Sequence, residues 1–276
     1  MRKSTRVSLI VFLLLLLGVN CPLSAQLTRD QNLSRFDDRP IHFGFYLGAN
    51  TMDYRFTHYT DVLLNPVFSQ TPGLEQLAAN YYQGVHAFRV ECYPLKPGFT
   101  VGGVLNLRMN NGLDFRFTPG MSLGSRQLIY SNNIDQYIKD PAIGGSLYPK
   151  ITYERYLTTP SAYIDLPIGF RYKGMRHNNI RPYIYGGGAY RRDLESKRIS
   201  ESIVHLKRNG YYAEVAFGLD TYFPFFRFTS EFKFSYGLNN LLRHDAALTS
   251  EYSLPYYGYV LEKLNSNIFS LIFYFE

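Results

Sequence analysis

Six histidines are the residues best suited to chemistry: His42, His58, His86, His177, His205 and His244. His244 is followed by Asp245, and an Asp–His dyad can activate a water molecule for hydrolysis. The same pair also reads as an ordinary solvated stretch of a polar loop, and nothing nearby adds a nucleophile. The histidines are scattered, with none of the close spacings that bring ligands onto one metal ion. Gly186-Gly187-Gly188 lies inside an alternating, extended pattern and does not open a helix, so it is not a phosphate-binding loop. Three glycines there instead admit bulky neighbours or bend a strand. The residue types therefore lead to no expected catalytic residue, no cofactor-binding residue and no metal ligand.

The charged residues make a stronger pattern, and it belongs to strands. In Phe226–Tyr236, FRFTSEFKFSY, the even positions are Phe226, Phe228, Ser230, Phe232, Phe234 and Tyr236, and the odd ones include Arg227, Glu231 and Lys233. Strict period-2 alternation over such a length is a β-strand with one apolar and one charged face. The aromatic load repeats on other strands and is too heavy for a surface resting on a small soluble core. The aromatic face is expected to meet lipid, and Arg227, Glu231 and Lys233 to point into a closed barrel.

Other stretches alternate in the same way. Ile41–Phe56 sets Phe43, Phe45 and Leu47 against His42, Gly44, Tyr46 and Gly48. Phe99–Met109 sets Phe99, Val101, Leu105, Leu107 and Met109 against Asn106 and Arg108. Leu113–Tyr130 sets Phe115, Phe117, Met121 and Leu123 against Asp114, Arg116, Thr118 and Ser122. Ala162–Lys173 sets Ile164, Leu166, Ile168, Phe170 and Tyr172 against Tyr163, Asp165, Gly169, Arg171 and Lys173. Ile180–Arg192 is a fifth strand. Tyr211–Phe223 sets Val215, Phe217 and Leu219 against Tyr212, Glu214, Gly218 and Asp220. Ser266–Glu276 closes the chain with Phe269, Leu271, Phe273 and Phe275 on one face.

The connections alternate long and short. Thr57–Gly98, Ser131–Ser161, Asp193–Gly210 and Asn239–Asn265 are long; Asn110–Gly112, Gly174–Asn179 and Pro224–Phe225 are short. Asn111-Gly112 suits a hairpin turn with positive φ. Short periplasmic turns and long outer loops are the habit of outer-membrane barrels. The expected fold is all-β: a transmembrane antiparallel up-and-down β-barrel of eight strands with long outer loops, ten strands being the alternative. Tyr81–Glu91 would break the alternation as a wall strand, so it is placed in the first outer loop as a hairpin arm, beside a helical turn at Leu74–Ala79. A barrel of eight strands is filled by its own side chains. Arg108, Asp114, Arg116, Asp165, Arg171, Glu214, Asp220, Arg227, Glu231 and Lys233 point in and must pair, because an unpaired buried charge is costly.

The N-terminal residues set the compartment. Arg2, Lys3 and Arg6 precede an apolar run, Val7–Val19, and then PLSAQ, so residues 1–25 are expected to be a secretory signal peptide cleaved after Ala25. Cys21 invites a lipoprotein reading, but Asn20 is wrong for that signal. Residues 26–40 are expected to be a flexible periplasmic leader and 41–276 the barrel domain. Past the apolar run at the N-terminus there is no stretch long enough for a transmembrane helix. Cys92 is the only cysteine after residue 25, which excludes an internal disulfide. Losing Arg2, Lys3 and Arg6 takes the formal charge from +7 to +4. The remaining basic residues are dispersed, so no nucleic-acid partner is expected. With 25 Tyr, 21 Phe and no Trp, interfacial girdles must be made of Tyr and Phe.

Several stretches together carry a family resemblance: HFGFYLGAN at 42–50, PGFTVGGVLNLR at 97–108, FRFTPGMSLGSRQL at 115–128, YIDLPIGFRYK at 163–173, RPYIYGGGAYRRDL at 181–194, EVAFGLDTYFPFFRFTSEFKFSYGLNNLL at 214–242 and the closing FYFE. In this order the chain resembles the PorT (SprT) family of outer-membrane β-barrel proteins. RFTPG with GSRQL, and the TYFPFF stretch through GLNN, are the more specific parts; the segments 57–97 and 239–265 match nothing in the family. The resemblance implies a non-catalytic component of the type IX secretion system, needed to export proteins that carry a C-terminal sorting domain. Its implied partners are outer-membrane lipid and other secretion components met through rims and loops. A small barrel acting as a surface binding or adhesion protein is the alternative.

Overall fold

Alternating runs place every second side chain on one face, and in the computed structural model these runs pair into a single antiparallel sheet. The structure describes residues 32–59, 64–66, 89–92, 96–131, 154–194, 206–243 and 261–276. The strands are β1 (Ile41–His58), β2 (Arg89–Cys92), β3 (Pro97–Arg108), β4 (Leu113–Phe117), β5 (Gly120–Ser131), β6 (Glu154–Lys173), β7 (Ile180–Asp193), β8 (Asn209–Tyr222), β9 (Arg227–Gly237) and β10 (Leu261–Phe275).

From β5 to β10 each strand pairs with the next, β3 pairs with β4, and β1 pairs both with β10 (Phe45↔Phe275) and with β3 (Ile41↔Leu107 through Thr51↔Pro97). That last pairing turns the sheet back on itself. Closure leaves no open edge in the wall, which hydrocarbon would not tolerate, because every backbone N–H and C=O must find a partner there.

Ten segments occupy eight positions around the wall. β4 and β5 share one position: both pair with β3 on one side (Leu107↔Phe115, Val101↔Met121) and with β6 on the other (Phe115↔Phe170, Met121↔Ile164). The ladder lapses at Pro119, which has no N–H to give. The flanking groups still bridge it, with Gly103 N–H donating to the Pro119 carbonyl at 2.9 Å and Thr118 N–H to that of Pro167 at 3.1 Å. β2 prolongs the line of β3, since Cys92↔Leu128 on β5 lies beyond Phe99↔Leu123. The end of the expected hairpin arm is thus an extension of the wall sheet; its residues 81–88, like the helical turn at Leu74–Ala79, lie outside the described residues.

At the long-loop end the sheet reaches farther than expected. β5 and β6 stay paired to Ser131↔Glu154, inside the segment read as a loop, and β10 begins at Leu261 rather than Ser266. Beyond the hydrocarbon nothing demands an apolar outer face, so alternation fades while β-branched and aromatic residues such as Thr158 and Tyr156 continue the strand. At the opposite end the turns are tight. Neither Asn111 nor Gly112 takes positive φ. The Asn110 side chain closes that turn instead, its Oδ1 accepting from Gly112 N–H at 2.9 Å and Leu113 N–H at 2.8 Å. Asn178, at φ 53°, supplies the left-handed residue of the β6–β7 turn.

The two faces differ in their aromatic residues, although Tyr172 and Tyr211 are also exposed on the outer one. Phe43, Phe45, Phe99, Phe170, Phe217, Phe232 and Phe269 point outward and are exposed, whereas Tyr46, Tyr54, Tyr163, Tyr183, Tyr185, Tyr212, Tyr222 and Tyr274 point inward and are buried. The outer rings stack across strands, Phe45 on Phe275 at 5.0 Å and Phe228 on Phe273 at 5.8 Å between centroids. An inward ring needs a hydroxyl to meet the charged interior, and tyrosine has one. Such rings need room. A Cβ on Gly218 would sit 2.2 Å from the Tyr183 ring, and one on Gly187 would sit 2.3 Å from the Ile168 carbonyl and 2.7 Å from the Tyr185 hydroxyl.

Candidate functional site

The barrel interior and its turn-end mouth hold the polar chemistry, and the phase of each strand places it. Glu231, on β9, is fully buried at the centre. It accepts from Arg116 Nη1 at 2.7 Å, the Tyr183 hydroxyl at 2.5 Å and the Tyr274 hydroxyl at 2.9 Å, with Lys233 Nζ 3.3 Å away. Below it Arg171 pairs with Asp220, whose other oxygen accepts from Thr229, and Lys173 pairs with Asp114 at 2.7 Å. Above it Arg191 joins Asp165 at 3.1 Å to Glu214 at 2.6 Å, and Ser122 donates to Asp165. Guanidinium groups also lie over inward rings, Arg171 on Tyr183 at 3.8 Å and Arg191 on Tyr212 at 4.4 Å. Nearer the long loops, Arg126 donates to the hydroxyls of Tyr54, Ser161, Tyr163 and Ser266 at 2.7–3.2 Å.

The expected inward set is borne out with one exception. Arg108 sits at the rim, its side chain 23% exposed, bonded to Asp38 and Asn111. Arg126, Arg191 and Glu276 join the network without having been singled out. Arg126 shares the parity of Arg116 and Ser122, and Glu276 follows outward Phe275, so extending the phase by one or two steps finds both. Arg191 has the parity of Tyr183 and Tyr185 but stands beside Arg192 after three glycines, where alternation is hard to read.

The turn-end mouth was not foreseen. Residues 32–40, expected to be a flexible leader, are folded against it. Phe36–Asp38 form a single 3-10 turn. The Phe36 ring stacks on His42 at 4.4 Å, meets Tyr222 edge-on and lies under Arg227 at 4.8 Å, while His42 Nε2 bonds the Phe36 carbonyl at 2.7 Å. The Asp37 carboxylate accepts from the Tyr222 hydroxyl at 2.8 Å and Arg181 Nη1 at 3.1 Å, with Arg227 at 3.7 Å and Arg176 at 4.0 Å. Burial by itself raises the pKa of Asp37, but the Tyr222 hydrogen bond and the Arg227 and Arg181 charges outweigh it and hold the carboxyl below its ordinary 3.8. Asn32 and Leu33 are tied down as well, through Asn179, Tyr222 and Arg176. Beneath Asp37, Arg227 also grips Glu276 at 2.5 Å, and Asn106 donates to the same carboxylate.

Among the described residues no group of His, Cys, Asp and Glu is arranged to hold a metal ion. His42 and His177 fall at the turn end and His58 bonds the backbone of Val90 near β2, so these three do not converge. His86, His205 and the His244-Asp245 pair lie outside the described residues. A concavity of about 930 Å³ is lined largely by outward groups such as Phe170, Val215, Phe217 and Phe232, so it belongs to the lipid-facing surface rather than to the charge network.

A search of curated proteins finds no match. Solved structures give loose likenesses. The Yersinia pestis attachment invasion locus protein Ail shares 9% identity over 84% of this chain and 96% of that one, with a TM-score of 0.34. Neisserial surface protein A shares 9% over 86% and 98%, at 0.37. OprG of Pseudomonas aeruginosa shares 11% over 85% and 93%, at 0.36. These scores carry no argument about this chain, whose architecture rests on its own strand pairing. A family model does match, over residues 24–243, most of the chain, and it is that of the outer membrane protein β-barrel domain. With a closed antiparallel wall, phenylalanines outward and ion pairs inward, the chain belongs to the outer membrane protein β-barrel domain family.

Proposed function

We propose that this chain is a non-catalytic outer-membrane component of the type IX protein secretion system, required for export of proteins that carry a C-terminal sorting domain. The observation that carries the reading is the interior. Charged and tyrosine side chains fill it and bond to one another, so the barrel acts through what it presents at its two ends. The resemblance of 115–128 and 214–242 to the PorT family supplies the particular machine.

In this reading residues 1–25 are a signal peptide, the tight turns and residues 26–40 face the periplasm, and the long loops face outward. The partners are outer-membrane lipid and other secretion components that meet the rims. The test is a deletion strain in which sorting-domain cargo is counted on the cell surface and in the periplasm. Cargo trapped in the periplasm is expected, and normal export would refute the assignment in favour of a surface binding protein. His244→Ala should restore export in that strain as well as the unaltered gene does; failure to do so with the barrel intact would point to hydrolysis.

A further inference from the structure

The turn-end mouth is built as a receptor. Asp37 is held by four groups brought there from separate elements: Arg176 from the β6–β7 turn, Arg181 from β7, Tyr222 from the end of β8 and Arg227 from the start of β9. Phe36 fills an adjoining site of aromatic and cationic walls, His42, Tyr222 and Arg227. The mouth offers more hydrogen-bond donors than its occupant uses. Arg227 is fully buried, yet its Nε and Nη1 have no hydrogen-bond partner, and Nη1 is the atom facing Asp37 at 3.7 Å. A buried guanidinium with unused donors favours a better-placed carboxylate.

We propose that this mouth is a binding site for an aromatic residue followed by a carboxylate, filled in the resting protein by the chain's own Phe36-Asp37, and that a partner segment of the same chemistry displaces it. Displacement then frees residues 32–40 from the barrel and covers the arginines in one exchange. The occupant is a polypeptide because the resting one is: the mouth reads a ring, a carboxylate and the backbone carbonyl of Phe36 together. The inference does not depend on which secretion machine, if any, the barrel serves.

The experiment uses the full chain in detergent micelles and a labelled peptide, NLSRFDDRP, copied from residues 32–40. In the intact protein the tethered copy competes at a millimolar-range effective concentration, so the free peptide should bind poorly. Asp37→Lys places a cation among three arginines and should eject the tethered copy. The peptide should then bind at least ~10-fold more tightly than to the unaltered chain, and a peptide with Asn in place of its first Asp should not. Trypsin should cut after Arg35, an exposed residue next to the docked ring, faster by a similar factor in this variant. Phe36→Ala, which empties the aromatic half without adding charge, guards against misfolding of the first variant and should also raise peptide binding. Heat-modifiable migration reports that either barrel is intact. Equal, weak binding to the unaltered chain and to both folded variants would overturn the proposal and leave residues 32–40 as a permanent plug.

Discussion

Glu231 and Phe232 are neighbours on β9 and live in different solvents. Glu231 is 0% exposed among cations and tyrosines; Phe232 is 65% exposed on the outer wall. The wall thus puts two incompatible demands on successive residues, charge satisfied by partners inside and no charge at all outside. A substitution is to be judged by its face before its type.

The largest expected effect is on the inside. Glu231→Ala takes the nearest carboxylate from Arg116 and Lys233, leaving them only Glu276 at 4.0 Å and Glu214 at 3.8 Å, and takes the acceptor from Tyr183 and Tyr274. Breaking a buried pair from one side costs about 3–5 kcal/mol, which a urea titration of the heat-modifiable form would register. On the outside, Phe232→Arg or Ile168→Arg should cost about 2–4 kcal/mol near the bilayer midplane, whereas Phe232→Leu should be tolerated. Equal behaviour of Arg and Leu at Phe232 would remove the lipid from that face. Gly218→Val sharpens the contrast from a third side. It adds apolar volume inward, against the Tyr183 ring, and overpacking of that kind costs about 1–3 kcal/mol; on an outward position the same addition should be silent.

The smallest effect concerns the mouth and has a definite sign. The pKa of Asp37 is lowered by docking, so its contribution is fully present above the ordinary value of 3.8 and is lost as the pH falls below it. A nitroxide on Ser34→Cys, in a Cys92→Ser background, should stay immobilised from pH 5 to 8 and become mobile only at pH lower than about 3.8. Release between pH 5 and 7 would show that Asp37 is not the anchor.

Much of this molecule was legible in its sequence because alternation is enforced wherever lipid touches the wall. Phe226–Tyr236, Ala162–Lys173 and Tyr211–Phe223 have the faces their parity assigns them. Legibility fails where that pressure ends. The extensions of β6 and β10 lie where either face can be polar. Parity placed Tyr46, Tyr163 and Tyr212 inward, but Tyr183, Tyr185 and Tyr274 were not assigned a face, because Tyr is aromatic by composition and polar by position. The docking of residues 32–40 could not be read from RFDDRP at all, because its meaning depends on Arg181, Tyr222 and Arg227, which only the closed wall brings together.

The claim on which the rest depends is that the barrel is filled. Purified full-length protein reconstituted into planar bilayers tests it directly by single-channel recording. No stable conductance steps are expected, because Glu231, Arg116, Arg171 and Asp220 occupy the lumen and Phe36-Asp37 its turn-end mouth. Reproducible ohmic steps from folded, heat-modifiable protein would mean an open lumen and would contradict both the packing described and the function proposed from it.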